Sequence, residues 1–199
     1  PQAATGVKGR VRIALESRLQ AATHDGRLRA VVIRAGDYFG SGTGAWLDQA
    51  IAKDITRGRV TWPGPLDVTT PWAYLPDLAR SLVQVAQRRT QLPAFDTFHF
   101  AGHSVTGAQW VEVLTDIGLE QGWLPRGGPL KVGHLPWPLL RAIGRFNAKF
   151  EALATMRYLW ATPHRLDPTR LEALIGPVPQ TPFADAVRAA LADLGLLAV

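Results

Sequence analysis

The run Ala30-Val-Val-Ile-Arg34, leading straight into Ala35-Gly-Asp-Tyr-Phe-Gly-Ser-Gly42, constrains this chain most. Val31, Val32 and Ile33 are β-branched and contiguous, with no polar alternation between them. A strand of that kind is covered on both faces, which is the pattern of a parallel sheet flanked by helices. The polar, glycine-punctuated segment Val31–Gly42 then reads as a strand leaving the sheet at its carboxyl end. Open α/β sheets bind ligands at that end.

The flanking pattern agrees. Residues 8–24 read as a helix with Val11, Leu15, Leu19 and Ala22 on one face and Lys8, Arg12 and Glu16 in a polar row beside it. His24-Asp-Gly26 is its expected end. Ala45–Ile55 reads as helical, and Arg59–Trp62 as a strand ended by Pro63-Gly-Pro65. Residues 75–88 predict a helix that turns Leu75, Leu78, Ala79, Leu82, Val83 and Ala86 inward. Pro76 and Asp77 suit its first turn. Phe95–Ala101 reads as a strand, and Thr106-x-x-Gln109 as a capping box opening a helix with Trp110, Val113, Leu114 and Ile117 on one face. Leu130–Val132 is a short candidate strand. Residues 136–150 predict one helix aligning Leu139, Ile143, Phe146 and Phe150. Asp167-Pro168 starts a short helix that Gly176 stops, and Thr181-Pro182 starts a last one carrying Phe183, Val187, Ala190, Leu191 and Leu194. Strands alternating with helices predict an α/β fold with a largely parallel sheet. The last third is mostly helical. Pro125–Pro129 is the best internal boundary, dividing residues 1–124 from 125–199.

Composition excludes several classes. With 199 residues, 47% apolar and 19% charged, the chain is long and apolar enough for a real core. No cysteine is present, which removes disulfides and thiolate metal sites. The five histidines are dispersed without ligand spacing, so no metal site is expected. The net charge of +6 comes from scattered arginines whose longest adjacent pair is Arg88-Arg89, and no nucleic-acid motif accompanies them. No apolar run approaches the ~18 residues of a membrane span. The helix at 136–150 carries Arg141, Arg145 and Lys149 beside its apolar row. Such a helix can lie on anionic lipid, but packing on its own domain is the commoner outcome. A cytoplasmic protein without nucleic-acid or membrane partners is therefore expected. The opening Pro1-Gln-Ala-Ala, without an initiating Met, reads as an internal fragment or a processed chain.

Four places carry a resemblance. The helix Lys8-Gly-Arg-Val-Arg12-Ile-Ala-Leu-Glu16 resembles one that carries Tyr-x-x-x-Lys. Val31–Gly42 is similar to an Arg-Pro/Ala-x-x-Tyr/Phe-Gly-Pro-Gly segment. Trp72-Ala-Tyr-Leu-Pro-Asp77 resembles a Tyr-Val-x-Asp-x-Ala segment, and Phe98-His-Phe-Ala-Gly102 followed by Thr106-Gly107 resembles the strand and helix start after it. These are features of the C-terminal half of an extended short-chain dehydrogenase/reductase of the NAD-dependent epimerase/dehydratase type, and they span roughly the first 120 residues. The resemblance implies a partial Rossmann-like parallel sheet with a mostly helical C-terminal substrate lobe. NAD or NADP is the implied cofactor. The Gly-x-x-Gly-x-x-Gly phosphate turn matches nowhere in this chain. That half of the site is expected before Pro1.

What the resemblance implies for single residues follows its register. Lys8 takes the Tyr position and Arg12 the Lys position, a departure, since a lysine is a base only when strongly desolvated and an arginine keeps its proton. The plainer alternative is that both are solvated helix charges, paired with Glu16. Tyr38 is the candidate replacement phenol, which makes Lys8, Arg12 and Tyr38 the candidate catalytic residues. Arg34, Ala35, Gly36 and Asp37 border the implied nicotinamide. Trp72, Tyr74 and His103 are candidates for a substrate wall, with sheet cover as the alternative for the two aromatics. The expected function is that of an NAD(P)-dependent oxidoreductase or epimerase/dehydratase-like protein acting on a small hydroxyl or carbonyl substrate, with a homodimer as a further expectation. The alternative is a non-catalytic NAD(P)- or metabolite-binding module. A third class, a hydrolase, would use Ser104, because Gly102-His-Ser-Val-Thr-Gly107 nearly matches a nucleophile elbow, with Thr106 standing where the second glycine belongs.

Overall fold

In a computed structural model of the chain, residues 6–40, 42–125 and 128–197 are described. Ser41, the Arg126-Gly127 centre of the Pro125–Pro129 boundary and the opening Pro1-Gln-Ala-Ala lie outside them. The chain is α/β. Helix α1 (Val7–Ala22) leads into β1 (Ala30–Ala35), which pairs in parallel with β5 (Phe95–Phe100) in the register Ala30↔Phe95 to Ala35↔Phe100. One face of this pair meets α1, where Arg34 reaches Glu16. The other face turns Ile33, Ala35, Phe98 and Phe100 onto α2 (Leu75–Gln87) and α7 (Thr169–Ile175).

Two smaller sheets follow. Strands β2 (Asp37–Phe39) and β4 (Thr69–Tyr74) are parallel, and β6 (His103–Thr106) runs antiparallel along β4. Strand β3 (Arg59–Trp62) pairs in parallel with β7 (Lys131–His134). Between β2 and β3 the expected helix is reduced to a wide helical turn at Leu47–Ile51 and one tight turn at Ile55–Arg57. Helix α3 (Gly107–Glu120) begins on the expected capping box: Thr106 Oγ1 accepts from Gln109 N at 3.2 Å, and Gln109 Oε1 accepts from Thr106 N at 2.9 Å. Strand β6 makes Ser104 an ordinary strand residue opposite Pro71, with none of the strained backbone a nucleophile elbow requires.

The larger core is aromatic. Trp62, Trp72, Trp110, Trp160, Phe39 and Phe183 meet at ring separations of 4.8 to 6.5 Å. Helix α8 (Phe183–Asp193) closes it with Val187, Ala190 and Leu191, as its spacing predicts. No helix among the described residues is long and apolar enough to cross a membrane.

Three helix faces differ from the sequence expectation, each for a physical reason. Helix α1 ends at Ala22, where Thr23 Oγ1 donates to Gln20 O at 2.7 Å. Val11 and Leu15 of its apolar row are turned outward, 62% and 56% exposed. The Glu16–Arg34 pair draws the Gly9–Ile13–Glu16–Leu19 side toward β1 instead. Helix α2 buries Asp77, Leu78, Ser81 and Val85 and exposes Leu82 and Val83. Asp77 accepts from Thr181 N at 2.7 Å and from Thr181 Oγ1 at 2.9 Å, and also from Arg80; Ser81 Oγ donates to Asp77 O at 3.0 Å. A satisfied buried carboxylate sets the helix rotation against the simple apolar stripe.

The single helix expected at 136–150 is a hairpin of α4 (Trp137–Gly144) and α5 (Ala148–Thr155), followed by α6 (Arg157–Ala161). A Cβ at Gly144 would stand 2.9 Å from the backbone of Glu151, so the two helices cross at that glycine. Helix α4 therefore buries Trp137 and Leu140 and leaves Leu139, Ile143 and Phe146 exposed, while Phe150 on α5 packs on the core. The side chain of Lys149 lies outside the described ones.

These faces are testable by urea unfolding followed by circular dichroism. Leu78→Ala should cost about 2–4 kcal/mol, whereas Leu82→Ala should stay within about 1 kcal/mol. Equal losses would return Leu82 to the core.

Candidate functional site

Gly36 separates β1 from β2 and is where the chain passes from one sheet to the next. A Cβ there would lie 1.9 Å from the carbonyl oxygen of Pro71 on β4, so only glycine permits this approach. Strand β2 then places its three residues by simple alternation. Phe39 points into the aromatic core and is fully buried, which turns Tyr38 outward and leaves Asp37 half-buried. Gly40, at φ +82°, ends the strand against the ring of Tyr74.

Two hollows meet at Tyr38. The first, about 470 Å³, is lined by Asp37, Tyr38, Trp46, Gln49, Leu75 and Leu153 among others. Its loop wall is held by Asp48, whose carboxylate accepts from Gly44 N at 2.9 Å and Ala45 N at 2.7 Å. The second, about 490 Å³, lies along α1 and β1 and includes Arg12, Glu16, Arg34, Ala35 and Tyr38. Among the described residues β1 pairs only with β5. Burial raises the carboxyl pKa of Asp37, against the lowering effect of His164 and Arg12.

The sequence-derived candidates separate accordingly. Tyr38, Asp37, Arg12 and Ala35 stand in the walls of these two hollows. Arg34 also stands there, with its guanidinium engaged by Glu16 at 3.1 and 2.5 Å. Glu16 thus makes a contact between elements, from α1 to β1. Lys8 donates from Nζ to Met156 Sδ at 3.1 Å, which ties α1 to the turn between α5 and α6. Gly36 acts by close backbone approach. Trp72, Tyr74 and His103 lie in the core: the Trp72 indole donates to Thr70 Oγ1 at 3.0 Å, and burial lowers the His103 pKa. These three shape the first hollow from behind, through Phe39 and Gly40.

Sequence reasoning missed Trp46, Gln49, Leu75 and Leu153. Trp46 and Gln49 follow the glycine loop closely enough for their position to have suggested them. Leu153 sits more than a hundred residues downstream, and only the packing of α5 brings it to Tyr38. No cluster of three or more metal-ligand side chains occurs among the described residues.

No family model matches the chain, and no curated protein matches it. Solved structures do match its fold. UDP-glucuronic acid 4-epimerase from Bacillus cereus, in complex with UDP-glucuronic acid and NAD, superposes with a TM-score of 0.64 at 14% identity, over 94% of this chain and 52% of that one. UDP-glucose 4-epimerase from Thermotoga maritima, with UDP-glucose, gives 0.63 at 14%, over 94% and 52%. L-threonine 3-dehydrogenase from Trypanosoma brucei gives 0.64 at 15%, over 99% and 57%. The chain thus spans little more than half the length of these proteins. It has the Rossmann-like α/β fold that NAD-dependent epimerases, dehydratases and dehydrogenases also adopt.

The buried Asp37 carboxyl yields a pH prediction. Because its folded pKa is raised, the folded chain retains a proton that the unfolded chain releases from about 3.8 upward. Stability is therefore lost as pH rises from that value through the folded one. In thermal melts from about pH 3 to about pH 7, Asp37→Asn should gain on the wild type as pH rises. A wild type that gains instead would make Arg12 and His164 a net stabilising pair.

Proposed function

We propose that this chain is the substrate-side part of an NAD(P)-dependent oxidoreductase or epimerase/dehydratase-like protein acting on a small hydroxyl or carbonyl compound. One observation carries the reading: Tyr38 stands in the common wall of two hollows at the carboxyl end of β1, where open α/β sheets bind ligands. The second hollow suits a nicotinamide. Its wall has a guanidinium at Arg12 and a phenol at Tyr38, groups that can hydrogen-bond a carboxamide and ribose.

Arg12, Ala35 and Tyr38 would hold the nicotinamide end, with Arg34 fixed by Glu16 as the support behind them. When bound, the nicotinamide would supply the hydride chemistry at the substrate carbon. Tyr38 exchanges the accompanying proton with the substrate oxygen, acting as general acid or base. Asp37 and Arg12 set the local charge around that proton. Lys8, held at Met156, ties the lobe to α1. The fold shared with NAD- and NADP-bound enzymes supports this reading. Residues 1–124 would supply the nicotinamide side and 125–199 the substrate lobe. The two interleave, since the larger core joins Trp62 and Trp110 to Trp137 and Val187. Homodimerisation belongs to the same proposal, supported by the outward row Val7, Val11 and Leu15.

A second reading, a binding module without turnover, is favoured by Lys8 and Arg12 standing in place of the Tyr and Lys of the family's helix. The two readings separate in the intact natural protein. Both require saturable binding of NADH or NADPH, and its absence at millimolar cofactor rejects both. Turnover of any member of a carbonyl panel, lowered about 100-fold or more in Tyr38→Phe with cofactor affinity kept, supports the enzyme. Cofactor binding with no hydride transfer to any of the panel supports the module.

A further inference from the structure

The hollow in front of Tyr38 carries little charge. Among the described residues in its walls, Asp37 alone is ionisable to a full charge at neutral pH, and it is an acid; neither lysine nor arginine lines the space. Trp46, Leu75 and Leu153 make most of the remaining surface apolar. The Gln49 amide already donates to Asp48 Oδ2 at 2.6 Å, which leaves the phenol of Tyr38 as a prominent polar group facing a ligand.

The chain does carry a basic surplus, concentrated between residues 131 and 165, where six lysines and arginines face Glu151 alone in the sequence. Three of these arginines line other hollows. Arg141 and Arg145 line a separate hollow with Glu151, and Arg157 lines another with His134. Arg12 belongs to the nicotinamide-side hollow.

A diphosphate carries two negative charges that require guanidinium, ammonium or backbone N–H partners once removed from water. In this hollow it would meet Asp37 with no cation among the described residues of the wall, Arg12 lining the neighbouring hollow. UDP-glucose and UDP-glucuronic acid are held by two of the solved proteins that share the fold. We propose that this chain differs from them in substrate class: the hollow takes an uncharged, largely apolar compound of one or two rings that presents one carbonyl or hydroxyl to Tyr38. A space of about 470 Å³ is large enough for such a molecule. The aromatic face of Trp46 and the side chains of Leu75 and Leu153 contribute apolar contact, and Asp37 selects against anions. This inference rests on the nicotinamide reading for the reaction, but its binding test stands apart.

The intact protein is titrated first with NADH and NADPH, then with acetophenone, cyclohexanone, their alcohols and UDP-glucose, using calorimetry and tryptophan fluorescence. At least one neutral probe should bind saturably and quench fluorescence, and Trp46→Phe should remove that quench. UDP-glucose should bind at least about tenfold more weakly than the best neutral probe. Leu153→Arg, which puts a cation into the wall, should reverse the order by weakening the neutral probe and strengthening UDP-glucose, each about tenfold. UDP-glucose binding more tightly than every neutral probe to the wild type overturns the proposal, as does a set of neutral probes none of which saturates. If no cofactor binds but a neutral probe still saturates at Trp46, the nicotinamide reading falls and the substrate class stands. If cofactor binds and UDP-glucose wins, the reading stands and the substrate class falls.

Discussion

The fully buried ring of Phe39 is the contact on which the rest of the structure depends. It lies 5.2 Å from Trp110, 5.3 Å from Tyr74 and 6.3 Å from Trp72, and so ties β2 to β4 and α3. Aromatic burial of this kind contributes several kcal/mol, more than any surface pairing in the chain. Because β2 is only three residues long, this one anchor also orients its neighbours. With Phe39 inward, Tyr38 has to face out, and Asp37 is drawn partly under the sheet. The candidate chemistry therefore depends on a packing residue that touches no ligand.

Buried polar contacts do the complementary work of choosing among packings that apolar surface alone would allow. Asp77 joins the start of α2 to Thr181, just ahead of α8, and so connects segments about a hundred residues apart. Glu16 and Arg34 likewise seat α1 on β1. Helix α2 is rotated away from its most apolar face, because an unsatisfied carboxylate at the buried Asp77 would cost more than exposing two or three aliphatic side chains. Leu82 and Val83, left outside on α2, are the visible consequence. Rotation of α2 also brings Leu75 to the wall of the Tyr38 hollow.

Electrostatics divide the molecule in a similar way. Arg141, Arg145 and Arg157 of the C-terminal lobe line hollows that Tyr38 does not touch; of the two hollows it does touch, one has Asp37 as its one acid and no cation among its described residues, and the other holds Arg12, Arg34 and Glu16. A net charge computed over the whole chain consequently says little about the ligand. The local balance of the wall residues says more, because Coulomb interactions weaken within about a Debye length of the surface.

Local signals in the sequence determined much of the secondary structure. The β-branched run 31–33, the Thr106–Gln109 capping box, the Gly176 stop and the spacing of Val187, Ala190 and Leu191 each depend on residues a few positions apart, and each was legible. The end of β1 at Ala35 was legible as well, from the glycines that follow the run. Tertiary structure alone decided that Asp37–Phe39 form strand β2, that α4 and α5 fold back at Gly144, and that Trp72, Tyr74 and His103 sit behind the hollow. It also decided that Leu153 closes the front. The physical reason is the same throughout: periodicity records how apolar a helix face is, whereas which face turns inward is settled by partners such as Thr181, Arg34 and the Pro71 carbonyl, which arrive from far along the chain.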